Sequence, residues 1–213
     1  MVFGKIEYLN LLPFHVFMKR FIQNSASKMS MEYKKSVPAK INSAFLSRRV
    51  DAAFISSIAA QKSQHIGLGI IAKRSVKSVL VIPKNATKKD AESASSNILA
   101  QILGVEGEVL IGDKALRYAL QNSDYIDLAQ MWYEREKLPF VFALLCYHKD
   151  EKLYKRVEKE FLKRRVKIPQ YILEKAALRT AVEKHDILEY LKLISYKLDK
   201  KAKKGLKKFY KLS

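Results

Sequence analysis

The sequence has a single cysteine, Cys146, in 213 residues. That excludes an intrachain disulfide framework and any thiolate cluster around zinc. Glycine (seven) and proline (five) are scarce, and no Ser/Gly linker or fixed-period repeat interrupts the chain, which argues against a string of independent modules. Long apolar runs are missing as well. Leu138 to Tyr147, the longest, is about half of what a bilayer requires. Lys5, Glu7 and Pro13 interrupt the start where a secretory signal would need an unbroken apolar core. The expectation is a cytoplasmic protein with no membrane insertion. HExxH, paired CxxC, a glycine-rich phosphate loop and GxSxG are all absent, so the common metalloprotease, nucleotide-binding and serine-hydrolase kits are excluded.

Acid is in short supply too: 41 Lys and Arg stand against 21 Asp and Glu, a net charge of +20. The excess is uneven. Residues 151 to 213 carry 20 basic and 8 acidic side chains, the preceding 150 residues 21 and 13. Seven lysines crowd the last fourteen residues (Lys200, Lys201, Lys203, Lys204, Lys207, Lys208 and Lys211). A nucleic-acid surface is one explanation. Leu198, Ala202, Leu206, Phe209 and Tyr210 recur among them, however, at the spacing of an amphipathic helix with a docked apolar side and a solvated lysine side. The second reading predicts no nucleic-acid partner.

What is present is enough apolar matter for a core, 48% of the chain with 29% charged. Short apolar strands are expected at Lys5–Leu9, Asp51–Ile55, Ser78–Ile82, before Gly112-Asp113, and at Phe140–Leu145. Helices are expected at Phe14–Ile22, from Ser93 to a Gly104 C-cap, and through Leu120, with a helical pattern from Asp150 onward. This alternation predicts an α/β protein with a mostly parallel sheet. Ligands of such sheets lie beyond the carboxyl ends of the strands, which makes candidates of the turn residues Asn10, Ser56, Ser57 and Gly112-Asp113, with Ser78 at a strand start. Ordinary capping explains any one of them as well. Hydroxyl-bearing turns at helix starts suit an anionic small molecule, because N–H groups and the helix dipole stabilise carboxylates there. The four histidines (His15, His65, His148 and His185) lack metal-ligand spacing, and Asp113 and Asp127 read as caps.

These residues, taken in order, resemble the chorismate dehydratases of the futalosine route to menaquinone. The likeness begins at Tyr8-Leu9-Asn10 with Pro13 and continues through Pro38, the helix around Ile41 to Leu46, and Asp51-Ala52-Ala53-Phe54-Ile55-Ser56-Ser57. Ser78-Val79-Leu80-Val81 and Ser93-Ala94-Ser95-Ser96 follow. Then come Ile111-Gly112-Asp113-Lys114-Ala115-Leu116, Asp127-Leu128, Trp132 and Leu138-Pro139-Phe140-Val141-Phe142-Ala143, and finally Tyr190-Leu191 through Tyr196 to Gly205-Leu206 and Phe209. The chain has Glu136-Lys137 where that family has Thr-Gly, and Arg74-Ser75 where it has Gly-Pro.

The resemblance implies an α/β, type II periplasmic-binding-protein-like fold: one lobe of residues 1–80 plus 144–213, the other of 81–143, and a cleft between them. It implies a carbon–oxygen lyase that dehydrates chorismate, with no metal or organic cofactor. Asn10 and Ser78 would be the catalytic residues, and Ser56, Ser57, Ser95 and Ser96 would bind substrate. The general base and the oligomeric state stay open. A solute-binding module for a small carboxylate, and a sister enzyme of the same pathway and fold, remain as alternatives.

Overall fold

The computed structural model describes residues 1–23, 31–84, 87–163 and 165–213. The first part of the chain forms β1 (Val2–Lys5), a 3-10 turn (Leu9–Leu11), α1 (Leu12–Gln23), β2 (Glu32–Lys35), α2 (Pro38–Leu46), β3 (Ala52–Ser56), α3 (Ser57–Ala60) and β4 (His65–Ala72). The middle forms β5 (Val79–Ile82), α4 (Ala94–Leu103), β6 (Glu108–Ile111), α5 (Gly112–Gln121), β7 (Ile126–Asp127) and α6 (Leu128–Glu136). The chain continues with β8 (Phe140–Tyr147), α7 (Glu151–Lys163), α8 (Gln170–Thr180), α9 (Lys184–Leu193), β9 (Ile194–Lys197) and α10 (Lys200–Leu212).

The strands form two sheets, one of six in the order β2-β1-β3-β8-β4-β9 and one of three in the order β6-β5-β7. Among the described strands β1 pairs parallel with β2 and with β3, and the other strand pairings are antiparallel. The mostly parallel sheet expected from the alternating pattern is therefore corrected. The chain leaves the large sheet after β4, builds the small one, and returns as β8, which enters antiparallel between β3 and β4 (Ala52 opposite Tyr147, Ser56 opposite Ala143). Both central strands read as near-continuous apolar runs because helices cover both faces. β5 lies whole in the small sheet and β8 whole in the large one.

Two further expectations change. The first strand ends at Lys5 rather than Leu9, since its pairing with β2 stops at Lys35 and Tyr8 already starts a turn by accepting from Leu11 N–H at 3.0 Å. The segment after Asp150 is not helical throughout, for β9 adds an edge strand to β4.

The lysine-rich helix docks as its spacing predicts. Ala202, Gly205, Leu206 and Phe209 of α10 are buried while its lysines face solvent, and Phe209 packs edge-on against Phe140 at 4.9 Å. Burying Phe209 alone contributes about 2 kcal/mol. Close approach requires the glycine, because a Cβ on Gly205 would lie 2.1 Å from the Pro139 carbonyl oxygen.

The chain crosses between the sheets twice, through residues 73–78 and 137–139. Asp127 holds the first crossing: its Oδ2 accepts from Ser75 Oγ, Val76 N and Lys77 N at 2.7, 2.8 and 2.7 Å. Its Oδ1 caps α6 through Ala129 N and Gln130 N. Both crossings contain a lysine in the left-handed region, Lys77 (φ 57°) and Lys137 (φ 56°).

Candidate functional site

Between the two sheets lies a cleft lined by residues of both. Its walls are mostly apolar, from Ile6, Leu11, Phe54, Ile70, Val76, Val79, Ile111 and Phe142. The polar lining comes from Tyr8, Asn10, Ser56, Ser78, Glu92, Ser93 and Ser96. The cleft thus brings together four of the six residues expected at the site: Asn10, Ser56, Ser78 and Ser96.

Asn10 sits in the 3-10 turn, which is tied down from three directions. Tyr196 Oη donates to the Asn10 carbonyl at 2.6 Å, Asp113 Oδ1 accepts from Leu9 N at 2.8 Å, and the other Asp113 oxygen pairs with Arg179 at 3.0 Å. Burial holds the Asp113 carboxyl above its usual range, against the opposing pull of Leu9 N–H and Arg179. Asp113 therefore acts on the site by fixing the backbone beside Asn10.

The three cleft serines share one hydrogen-bonding pattern. Ser56 Oγ accepts from Asn42 Nδ2 at 2.8 Å, Ser78 Oγ from Tyr190 Oη at 2.9 Å, and Ser96 Oγ from Ser93 Oγ at 2.6 Å. A hydroxyl whose oxygen already accepts from the protein keeps its own proton to donate. All three therefore keep a proton to donate, Ser96 at the N-terminus of α4, where Ser93, its own proton given to Ser96, caps the helix by accepting from Ser96 N. This arrangement stabilises negative charge. Among the described residues no Lys, Arg or His lines the cleft.

Its one charged wall group is Glu92, which accepts from Tyr8 Oη at 2.5 Å. The bond joins the segment after β1 to the segment before α4. Burial, then Glu92, hold the Tyr8 hydroxyl far above the usual phenol range, so it stays protonated. The Tyr8 ring lies on Gly112 (φ 68°), where a Cβ would stand 2.6 Å from the nearest ring carbon.

Ser57 and Ser95 face away from the cleft. Their hydroxyls bond each other at 3.0 Å, Ser95 Oγ also accepts from Ile58 N at 3.1 Å, and Tyr210 Oη donates to the Ser57 carbonyl at 2.9 Å. They are fully buried in a seam joining α3, α4 and α10, outside the cleft lining. Ser56 makes no cap bond to α3 either; its backbone N–H and hydroxyl are both held by Asn42.

Asn42 and Glu92 were not singled out in the sequence, and Tyr190 and Tyr196 stood there only as part of the family resemblance, with no role at the site. Asn42 carried a usable signal, an amide beside Ile41, Ala44 and Phe45 on the buried face of α2. The tyrosines carried none, since each fits an apolar stripe. Among the described residues no three His, Cys, Asp or Glu side chains group as metal ligands, and no helix is long and apolar enough to cross a membrane. The histidines lie outside the cleft lining, and His148 stacks on Phe45 with ring centroids 4.0 Å apart.

Comparison with known proteins follows from this geometry. The model of a family described as menaquinone biosynthesis matches residues 1–108 and 92–213. A chorismate dehydratase of Campylobacter jejuni is 45% identical over 99% of this chain and 96% of its own length. A chorismate dehydratase of Thermus thermophilus is 26% identical over 98% and 93%. Among solved structures, protein AF1704 of Archaeoglobus fulgidus superposes with a TM-score of 0.74 at 13% identity, covering 99% of this chain and 95% of that one. A Candida albicans protein described as having the generic periplasmic-binding-protein fold gives 0.56 at 14% identity, covering 100% and 90%. The fold is thus that of the periplasmic binding proteins.

Proposed function

The chain belongs to the menaquinone biosynthesis family, and on that premise we propose that it is a chorismate dehydratase, a hydro-lyase converting chorismate to 3-[(1-carboxyvinyl)oxy]benzoate and water. The observation that carries this reading is the set of three serine hydroxyls, each with its oxygen occupied by a protein donor, aimed into one apolar cleft. Such a site fits a compact ring bearing two carboxylates better than it fits a cation or a nucleotide.

The reaction asks little of the protein beyond placement. The proton on ring carbon 3 is acidified through the ring carboxylate, and loss of the carbon 4 hydroxyl leaves an aromatic ring. Orientation and stabilisation of developing charge supply most of the barrier reduction. In this reading Ser56, Ser96 and the N–H groups opening α4 bind the carboxylates, while Asn10 and Ser78 hold the reacting edge of the ring. The large-sheet part (residues 1–75 and 140–213) and the small-sheet part (76–139) act as two lobes closing over it.

The test is incubation of the purified chain with chorismate, followed by product mass. Loss of one water per molecule with formation of the aromatic ether supports the reading. Chorismate bound and released intact would make the chain a solute-binding module instead, the use to which the sulphonate-binding protein of Escherichia coli puts this fold.

A further inference from the structure

The geometry points to Tyr8 as the positioning residue that sets the spacing between Asn10 and Ser78, by seating the turn that carries Asn10 on the opening of α5. The assignment rests on the dehydratase reading above. Asn10 follows β1 of the large sheet, whereas Ser78 immediately precedes β5 of the small one, so a contact between the two parts has to fix how far apart they stand. Gly112 supplies it on the Ser78 side. Its N–H donates to the Ser78 carbonyl at 2.8 Å, and the Tyr8 ring carbon that bears the hydroxyl would lie 2.6 Å from a Cβ at that glycine. The ring therefore rests on the residue whose backbone holds Ser78, and Asn10 lies two positions beyond the ring.

A ring lying on bare backbone is free to slide. The Tyr8 hydroxyl removes that freedom by giving its one proton to Glu92 Oε2 at 2.5 Å, a bond strengthened by the charge of its acceptor. Glu92 is braced in turn. Its N–H donates to Asp90 Oδ1 at 2.8 Å, Asp90 Oδ2 pairs with Lys114 of α5 at 2.9 Å, and Asp90 N–H donates to Asn97 Oδ1 of α4 at 2.9 Å. The acceptor is thus anchored to both helices, and Tyr8 takes its position from them.

Asp113 and Tyr8 hold the same turn in different ways. Asp113 fixes the backbone at Leu9 N–H, and Tyr8 fixes where the turn stands relative to Ser78. Without the phenol proton the ring keeps its place over Gly112 but loses the point that pins it, and the turn can shift. A displacement of about 1 Å costs up to about a hundredfold in rate where two groups must meet one substrate. The loss should fall on kcat, because Ser56 and Ser96 are held by Asn42 and Ser93 and keep their places for the carboxylates.

The experiment measures kcat and KM for chorismate with Tyr8→Phe, Glu92→Leu and the double variant, each checked for fold by circular dichroism. Each single variant is expected to lose roughly tenfold or more in kcat, and Tyr8→Phe to keep KM within about threefold. Both substitutions remove the same bond, so the double variant should be no slower than the slower single one. If Tyr8→Phe does not fold, Glu92→Leu carries the test by the same loss of kcat. Three results overturn the assignment: an unchanged kcat in the folded single variant, a Tyr8→Phe defect confined to KM, or losses that multiply in the double variant. Wild-type protein in the same assay separates the two claims. If it leaves chorismate intact the dehydratase reading falls, whereas turnover by wild type alongside an unimpaired Tyr8→Phe removes the role of Tyr8 alone.

Discussion

His15 is held by a single bond, Nε2 to the Ile6 carbonyl at 2.9 Å, and its Nδ1 is buried with no hydrogen-bond partner. A carbonyl only accepts, so Nε2 carries the proton and the ring is neutral. Burial pulls its pKa down to about 4, below the 6.5 it has in an unfolded chain. Between those values the unfolded chain binds more protons, so stability is complete above pH 6.5 and declines as pH falls toward 4, by up to about 1.4 kcal/mol per pH unit. His15→Gln keeps an N–H for Ile6 and cannot titrate. Its melting temperature should fall less over that range than wild type, and parallel curves would remove His15 from the acid response. Cys146 behaves in the opposite sense: burial pushes its thiol up to about 12. A disulfide reagent at neutral pH should label it only at the rate of unfolding, and immediate labelling of native protein would contradict its burial. For the site, Asn10→Ala is expected to lower turnover by roughly tenfold or more while the fold persists, checked by kinetics beside circular dichroism.

Helices and strands show why some of the site was legible and some was not. Lys137 closes α6 in the left-handed region, where its carbonyl-side neighbour Tyr133 accepts its N–H at 2.9 Å. A side chain there costs about 1–2 kcal/mol relative to glycine, partly offset by glycine's greater freedom when unfolded. Lys137→Gly should therefore stabilise the protein by about 0.5–1 kcal/mol, read from denaturant midpoints. A loss of stability would mean that the lysine's contact with the Tyr133 ring outweighs backbone strain. The two serine pairs carry the lesson about legibility. Ser56-Ser57 and Ser95-Ser96 each stood out as hydroxyls at an element junction, and in each pair one serine faces the cleft and its neighbour a buried seam. Successive side chains at a strand end or helix start point in widely different directions, so sequence locates the junction without saying which member faces the ligand. The antiparallel return of β8 was hidden for another reason. Its apolar run is compatible with either direction, and the choice depends on where the chain re-enters the sheet 68 residues after β4.

At the scale of the whole molecule, charge and topology act together. A net +20 surrounds a cleft that has no cationic lining among the described residues. Cations therefore attract a dianion from a distance but do not clasp it. The expected signature is a KM for chorismate that rises with ionic strength while kcat stays nearly constant. A kcat that fell with salt would place charge contacts in the reacting step. The amphipathic ending was readable because its apolar spacing survives among the lysines, and the α/β class was readable from the alternation of elements. Both crossings between the sheets are short, with Arg74-Ser75 and Glu136-Lys137 where the resembled family has Gly-Pro and Thr-Gly. One carboxylate ties the first of them to α6. Asp127 grips the outgoing strand of chain with one oxygen and founds with the other the helix that leads to the returning strand. The outgoing crossing and the start of α6 therefore hang on one anchor, and losing Asp127 frees both at once.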